Sequence, residues 1–238
     1  MAGKYLAPRK NTPGCRPKGG DPIRDKRRKI ITIALAVLFF LLALGLTVYP
    51  IFSSRYNEVH QSQIHTEYQD AVQALPDTAI PEAMAKAQAY NEELWSSIVQ
   101  YGSYSKDSVT SAVEEYAQLL DLTGTGTMGY VHIPKLGVSL PIYHGTEEET
   151  LDRGVGHLIG SSLPIGGSST HAILTGHSGL ASQKMFSDLD KLEIGDTFYL
   201  EVLNEVLAYE VDQINTVLPH DTTYLGLEEG KDLCTLVT

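Results

Sequence analysis

Asp232-Leu233-Cys234-Thr235-Leu236-Val237-Thr238 is the stretch whose reading sets the fold class. Aliphatic and β-branched residues follow one another with no break, the pattern of a strand inside a sheet. A second short buried strand, Ala172-Ile173-Leu174-Thr175, runs into Gly176-His177. Further strands surround these two. Tyr130-Val131-His132-Ile133 is closed by Pro134, and Val138 to Tyr143 follows it. Thr197 to Leu203 and Val206 to Val217 read as long strands meeting in a hairpin at Asn204-Glu205. Many short strands with little helix between them argue for an all-β sandwich or barrel. Alternation along the last strand puts Cys234 on the opposite face from the position after Thr238. Cys234 therefore reads as a small hydrophobic core residue.

The other end of the chain is different in kind. Residues 1–29 carry ten Lys or Arg against two Asp, a net of +8; the whole chain of 238 residues has a formal charge of −11, which leaves −19 on the remainder. Between these parts lies Ile30 to Phe52, without a charged residue. At 1.5 Å per residue it can cross a hydrocarbon core of about 30 Å. It exceeds a signal-peptide core of about 7–15 residues, and no small-residue cleavage site follows. The basic cluster Lys26–Lys29 abuts its start, so the positive-inside rule sets the N-terminus in the cytoplasm and residues 53–238 outside. The tail from Pro8 to Pro22, with Pro13, Gly14, Pro17, Gly19 and Gly20, reads as disordered and lies against anionic headgroups. That function needs no nucleic acid. Cys15 and Cys234 fall on opposite sides of the span, so no internal disulfide joins them.

Three helical segments are expected between the span and the strands. Ile64, Tyr68, Val72 and Leu75 form a stripe that Pro76-Asp77 ends. Pro81 suits a first helical position, and Met84, Ala87, Asn91, Leu94, Trp95 and Ile98 share a face up to Tyr101-Gly102-Ser103. Asp107 or Ser108 caps a third, with Val109, Val113, Tyr116 and Leu120 as its stripe. The resulting organisation is a basic, disordered cytoplasmic tail (1–29), a transmembrane helix (30–52), a helical, lid-like region outside the membrane (53–125) and a β domain (126–238).

From Gly129 onward an ordered set of short motifs accumulates. It runs through Gly129-Tyr130-Val131-His132-Ile133-Pro134-Lys135-Leu136, Leu140-Pro141-Ile142-Tyr143-His144-Gly145-Thr146 and Gly154-Val155-Gly156-His157. It continues with Thr170-His171-Ala172-Ile173-Leu174-Thr175-Gly176-His177, Phe186-Ser187-Asp188-Leu189-Asp190-Lys191-Leu192 and Thr235-Leu236-Val237-Thr238. Together these resemble the sortases, and within them the class C, pilin-polymerising enzymes. The resemblance implies a mainly β fold, an eight-stranded sortase-type barrel. It also implies cleavage of an LPxTG-like sorting signal between Thr and Gly by a cysteine, with transfer to a pilin lysine or cell-wall amine. His177 is the implied acid–base partner of that cysteine, and no cofactor or metal is implied.

The cysteine is implied at the position after Thr238 and an arginine on the following strand. The sequence ends at Thr238. As it stands, the chain is therefore expected to be inactive, with a barrel incomplete at its C-terminal end and only marginal folding. A catalytically dead binding or assembly module on the cell surface is the alternative. The other histidines compete with His177: His157 and His171 also match the resemblance and read as packed rings, and His132, His144 and His220 as structural or surface. A zinc site from His157, His171 and His177 is disfavoured, because the spacings match no ligand motif. Class C enzymes carry a lid with an Asp-Pro-aromatic tripeptide, and residues 53–128 hold none. Trp95 and Tyr101 are substitute plugs only if they do not pack between helices.

Overall fold

A computed structural model describes residues 22–101, 115–178, 184–218 and 221–238. The chain divides into two units, Met1–Tyr49 and Pro50–Thr238. In the first, Lys26–Tyr49 is 24 residues long with mean hydropathy 2.8 and is exposed throughout, a helix long and apolar enough to cross a membrane. Its Thr47 hydroxyl donates back to the carbonyls of Ala43 and Leu44 (3.1 and 2.9 Å), so that polar side chain is satisfied within the helix. Helix α1 as a whole is Pro22–Gln73. Two expectations change here. Residues 22–29 are helical rather than disordered, since Lys and Arg are good helix formers and Pro22 sits at the first position. The apolar stretch and the stripe after it form one continuous helix.

In the second unit, the end of α1 presents the expected stripe: Tyr68 and Val72 are buried, Ile64 and Leu75 half-buried. Tyr68 accepts the Leu203 N–H (2.9 Å) and donates to the Met128 carbonyl (3.4 Å). Burial pushes its phenol up to about 12, so it stays a neutral donor. Helix α2 (Ala79–Tyr101) buries Ala83, Ala87, Asn91 and Leu94. Asn91 is polar on an apolar face because it copies a strand partner. Its Nδ2 donates to the Leu163 carbonyl (3.2 Å) and its Oδ1 accepts the Leu163 N–H (2.7 Å). Trp95 is half-buried on this helix, and the Tyr101 side chain lies outside what is described. Most of the expected third helix, with Val109 and Val113, also lies outside the described residues; Tyr116 and Leu120, at its end, are buried.

Seven strands form one sheet: β1 (Thr127–Ile133), β2 (Val138–His144), β3 (Val155–His157), β4 (Thr170–Thr175), β5 (Thr197–Val202), β6 (Glu205–Glu210) and β7 (Asp232–Val237). Their order is β6-β5-β1-β2-β3-β4-β7. The short helix α3 (Glu148–Leu151) lies between β2 and β3. The two ends of the sheet meet through side chains: Tyr209 of β6 donates to Asp232 of β7 (2.8 Å). The result is a mainly β, nearly closed barrel, one described strand short of the eight that the resemblance implies. Alternation fills its interior; on β5, Phe198, Leu200 and Val202 are buried while Thr197, Tyr199 and Glu201 are half-exposed.

Two strand expectations need correction. The expected strand to Val217 ends at Glu210. Val211 still exchanges backbone hydrogen bonds with Gly195 and Asp196 (both 2.8 Å), but Ile214, Val217 and Leu218 beyond it are exposed, with no facing strand among the described residues. The hairpin turn is Leu203-Asn204, one residue earlier than expected. Leu203 takes φ 53° there and is buried, fixed by its bond to Tyr68.

Candidate active site

β4 and β7 run side by side and parallel, in register from Thr170↔Asp232 to Thr175↔Val237. The ladder continues past both strand ends. Gly176 N–H donates to the Val237 carbonyl (3.0 Å), and the Thr238 hydroxyl donates to the Gly176 carbonyl (3.1 Å). His177 follows immediately, and its own carbonyl accepts the Phe186 N–H (3.1 Å). Its backbone is therefore pinned on both sides, while the imidazole remains half-exposed. Asp152, just past α3, points an oxygen at Nε2 from 3.8 Å. That is longer than a hydrogen bond, so the carboxylate acts on the ring through charge alone, and solvent screens it. Nothing in the sequence singled out Asp152, since its approach to His177 depends on the β2–β3 connection folding over the end of β4.

Gly176 is required by the same packing. A Cβ on it would sit 2.7 Å from the Phe186 ring, and Phe186 is fully buried with no room to retreat. Gly176→Ala should therefore overpack the site, lowering stability by about 1–3 kcal/mol. A thermal midpoint equal to that of the parent would contradict this.

The other histidines have settled partners. His157 is fully buried; its Nε2–H donates to the Ser162 carbonyl (2.8 Å), and Nδ1 accepts from the Tyr116 hydroxyl (2.8 Å). Desolvation lowers its pKa to about 4, so the ring is neutral. His171 donates from Nδ1 to the Gly226 carbonyl (2.8 Å) and accepts at Nε2 from the Thr235 hydroxyl (2.7 Å). His144 donates from Nε2 to the Leu119 carbonyl (2.8 Å), and burial lowers its pKa. The two satisfied rings, His157 and His171, are not grouped with His177 as metal ligands among the described residues. His132 lies instead beside His65 and Glu201, and His220 lies outside the described residues.

Cys234 is half-buried and packs with Leu236 against the core. Desolvation, with the Asp232 carboxylate adding to it, pushes its thiol far up. A thiol so placed stays protonated and is a poor nucleophile.

Residues 131–238 match the sortase domain model. The solved structure of sortase C1 from Streptococcus agalactiae superposes with a TM-score of 0.65 at 41% identity, covering 73% of this chain and 88% of that one. The chain belongs to the sortase family. A Streptococcus pneumoniae sortase C, described for its catalysis and pilin substrate specificity, matches at 40% identity with a TM-score of 0.64 over 73% of this chain and 86% of that one. Sortase D of Bacillus subtilis (strain 168) is 30% identical over 139 residues, 58% of this chain; the chain spans 66% of that curated sortase's length. The matched residues 131–238 include β4, His177 and β7.

Proposed function

We propose that this chain is the membrane-anchored body of a class C sortase, a cysteine transpeptidase. Its substrate is an LPxTG-like sorting signal, cut between Thr and Gly, and its acceptor is a pilin lysine or a cell-wall amine. The observation that supports this reading is the β4–β7 register. Continued by two positions beyond Thr175↔Val237, the ladder sets the residue after Thr238 beside His177. By parity that position shares the face of Thr235 and Val237, opposite Cys234.

A cysteine there has an imidazole neighbour able to stabilise its thiolate. The thiolate attacks the Thr carbonyl carbon. A C–S bond forms, the Thr–Gly C–N bond breaks, and the His177 imidazolium gives its proton to the departing Gly amine. The acceptor amine then attacks the thioester. Its proton returns to His177 as the C–S bond breaks and the new amide forms. An arginine on the following strand holds the oxyanion of each tetrahedral intermediate. The scheme calls on no metal or organic cofactor. These 238 residues carry the imidazole half of the pair.

The test is direct. A polypeptide in which Thr238 is followed by cysteine and an arginine-bearing strand, in detergent micelles, should cleave an LPxTG peptide at Thr–Gly. It should also form an amide with a lysine-bearing acceptor, whereas the 238 residues alone do neither. If mass spectrometry finds no acyl-enzyme, the alternative of a non-catalytic, sortase-like assembly module takes its place. The anchor has its own test. The basic tail before Lys26–Tyr49 supports a single-pass topology with the N-terminus cytoplasmic. Protease added to intact protoplasts should remove the barrel and spare the tail; protection of the barrel would reverse the topology.

A further inference from the structure

His65, His132 and Glu201 converge from three elements that the sequence keeps far apart. His65 comes from the last part of α1, His132 from β1 and Glu201 from β5. On the sheet, Tyr130 pairs with Glu201 and His132 with Tyr199, so His132 and Glu201 are diagonal neighbours on one face. His65 descends onto that face from the helix. Nε2 of each imidazole lies 2.9 Å from the same carboxylate oxygen, Oε2 of Glu201. One candidate ligand atom from each residue lies within 4.8 Å of the other two. Gln69, one helical turn beyond His65, donates to the other oxygen, Oε1 (3.0 Å), and orients the carboxylate from behind.

We propose that His65, His132 and Glu201 form a divalent transition-metal site, suited to Zn²⁺, that fastens α1 to strands β1 and β5. Two imidazoles and one carboxylate are a common zinc donor set, leaving a fourth tetrahedral position for water. Zinc–ligand distances of about 2.0–2.2 Å put neighbouring donors roughly 3.3 Å apart. The present 2.9 Å spacings need open by only a few tenths of an ångström. The side chains are 24%, 25% and 14% exposed, open enough to admit an ion and sheltered enough to hold it. Hydrogen bonds, that from His132 first, draw the Glu201 carboxyl down to about 2, so the ligand oxygen is already ionised. Both imidazoles now carry hydrogen on Nε2. On loading, each Nε2 proton moves to Nδ1 or leaves to solvent, and the freed lone pair takes the ion. His132 and Glu201 lie on β1 and β5, neither of which is next to β4 or β7 in the sheet, so the site's role is to hold the helix and not to take part in acyl transfer.

The untagged chain, stripped with EDTA and held in detergent micelles, is the material for the test. Titration with ZnCl₂ by calorimetry should saturate at one ion per chain. At a hundredfold excess over Kd the thermal midpoint should rise by about 5–10 °C. His65→Asn and His132→Gln keep an amide donor for Glu201 but lose the imidazole ligand. Each should bind zinc at least tenfold more weakly while keeping the parent's circular dichroism without metal. Co²⁺ added to the parent chain, a readout independent of any variant, should give the intense visible absorption of a tetrahedral site. Absence of saturable binding and of that absorption, or zinc affinity in both variants equal to the parent's, would overturn the site and leave a purely hydrogen-bonded clamp.

Discussion

Replacing His177 by alanine, in the polypeptide carrying cysteine after Thr238, should lower LPxTG cleavage by about 10²–10⁴-fold, the usual worth of a positioned acid–base group. The ring stands at the register position of the expected nucleophile, and no other histidine described here combines that place with a half-exposed ring. On the proposed mechanism its loss would remove both thiolate stabilisation and protonation of the leaving amine. Cys234→Ala is the matched control. Cys234 faces the core beside Leu236, and burial keeps its thiol protonated. Turnover should stay nearly intact, and stability should fall by on the order of 1 kcal/mol for the lost burial. If Cys234→Ala abolishes turnover while His177→Ala leaves it unchanged, the site has been assigned to the wrong residues.

The parts of this protein legible in its sequence are those where local pattern and tertiary environment agree. The β4 and β7 segments read as buried strands because each has partners along its length, β7 through six consecutive pairs with β4. The α1 stripe of Tyr68 and Val72 reads correctly because it packs inward at helical spacing. Where propensity stood without a partner, the reading overran. Val211 to Val217 has strand-forming residues, but a strand needs a neighbour to pair with, and beyond Val211 the side chains turn to solvent. At Leu203 the opposite occurred. A residue unsuited to positive φ holds the turn because Tyr68, distant in sequence, takes its N–H. The His65–His132–Glu201 cluster was invisible for the same reason. Its members are separated by most of the barrel in sequence, and only the α1 docking and the β1–β5 pairing bring them together.

Stability should fall by about 3 kcal/mol as pH drops from about 6.5 to about 4 through His157, with the burial-lowered His144 adding to the fall in the same direction. The ring is fully buried, and desolvation lowers its pKa to about 4 from an ordinary 6.5. Protonation therefore favours the unfolded chain. The contribution is complete above about pH 6.5, is lost as pH falls through the folded-state value, and changes no further once both states are protonated. The geometry explains why the charged form is unwelcome. Nε2–H already donates to the Ser162 carbonyl, and Nδ1 is the acceptor for Tyr116. A proton on Nδ1 would set two donors against each other unless the Tyr116 hydroxyl turned to its weaker contact, the His157 carbonyl at 3.2 Å. Glu201 also loses stabilisation on acidification, but its value of about 2 puts most of that loss at lower pH. Denaturant unfolding at several pH values separates the two. His157→Ala should start less stable at neutral pH, because the Ser162 carbonyl is left buried without its donor at a cost of about 1–3 kcal/mol. It should then decline much less between pH 6.5 and 4. A variant whose stability falls as steeply as the parent's across that window would show that another group carries the acid sensitivity.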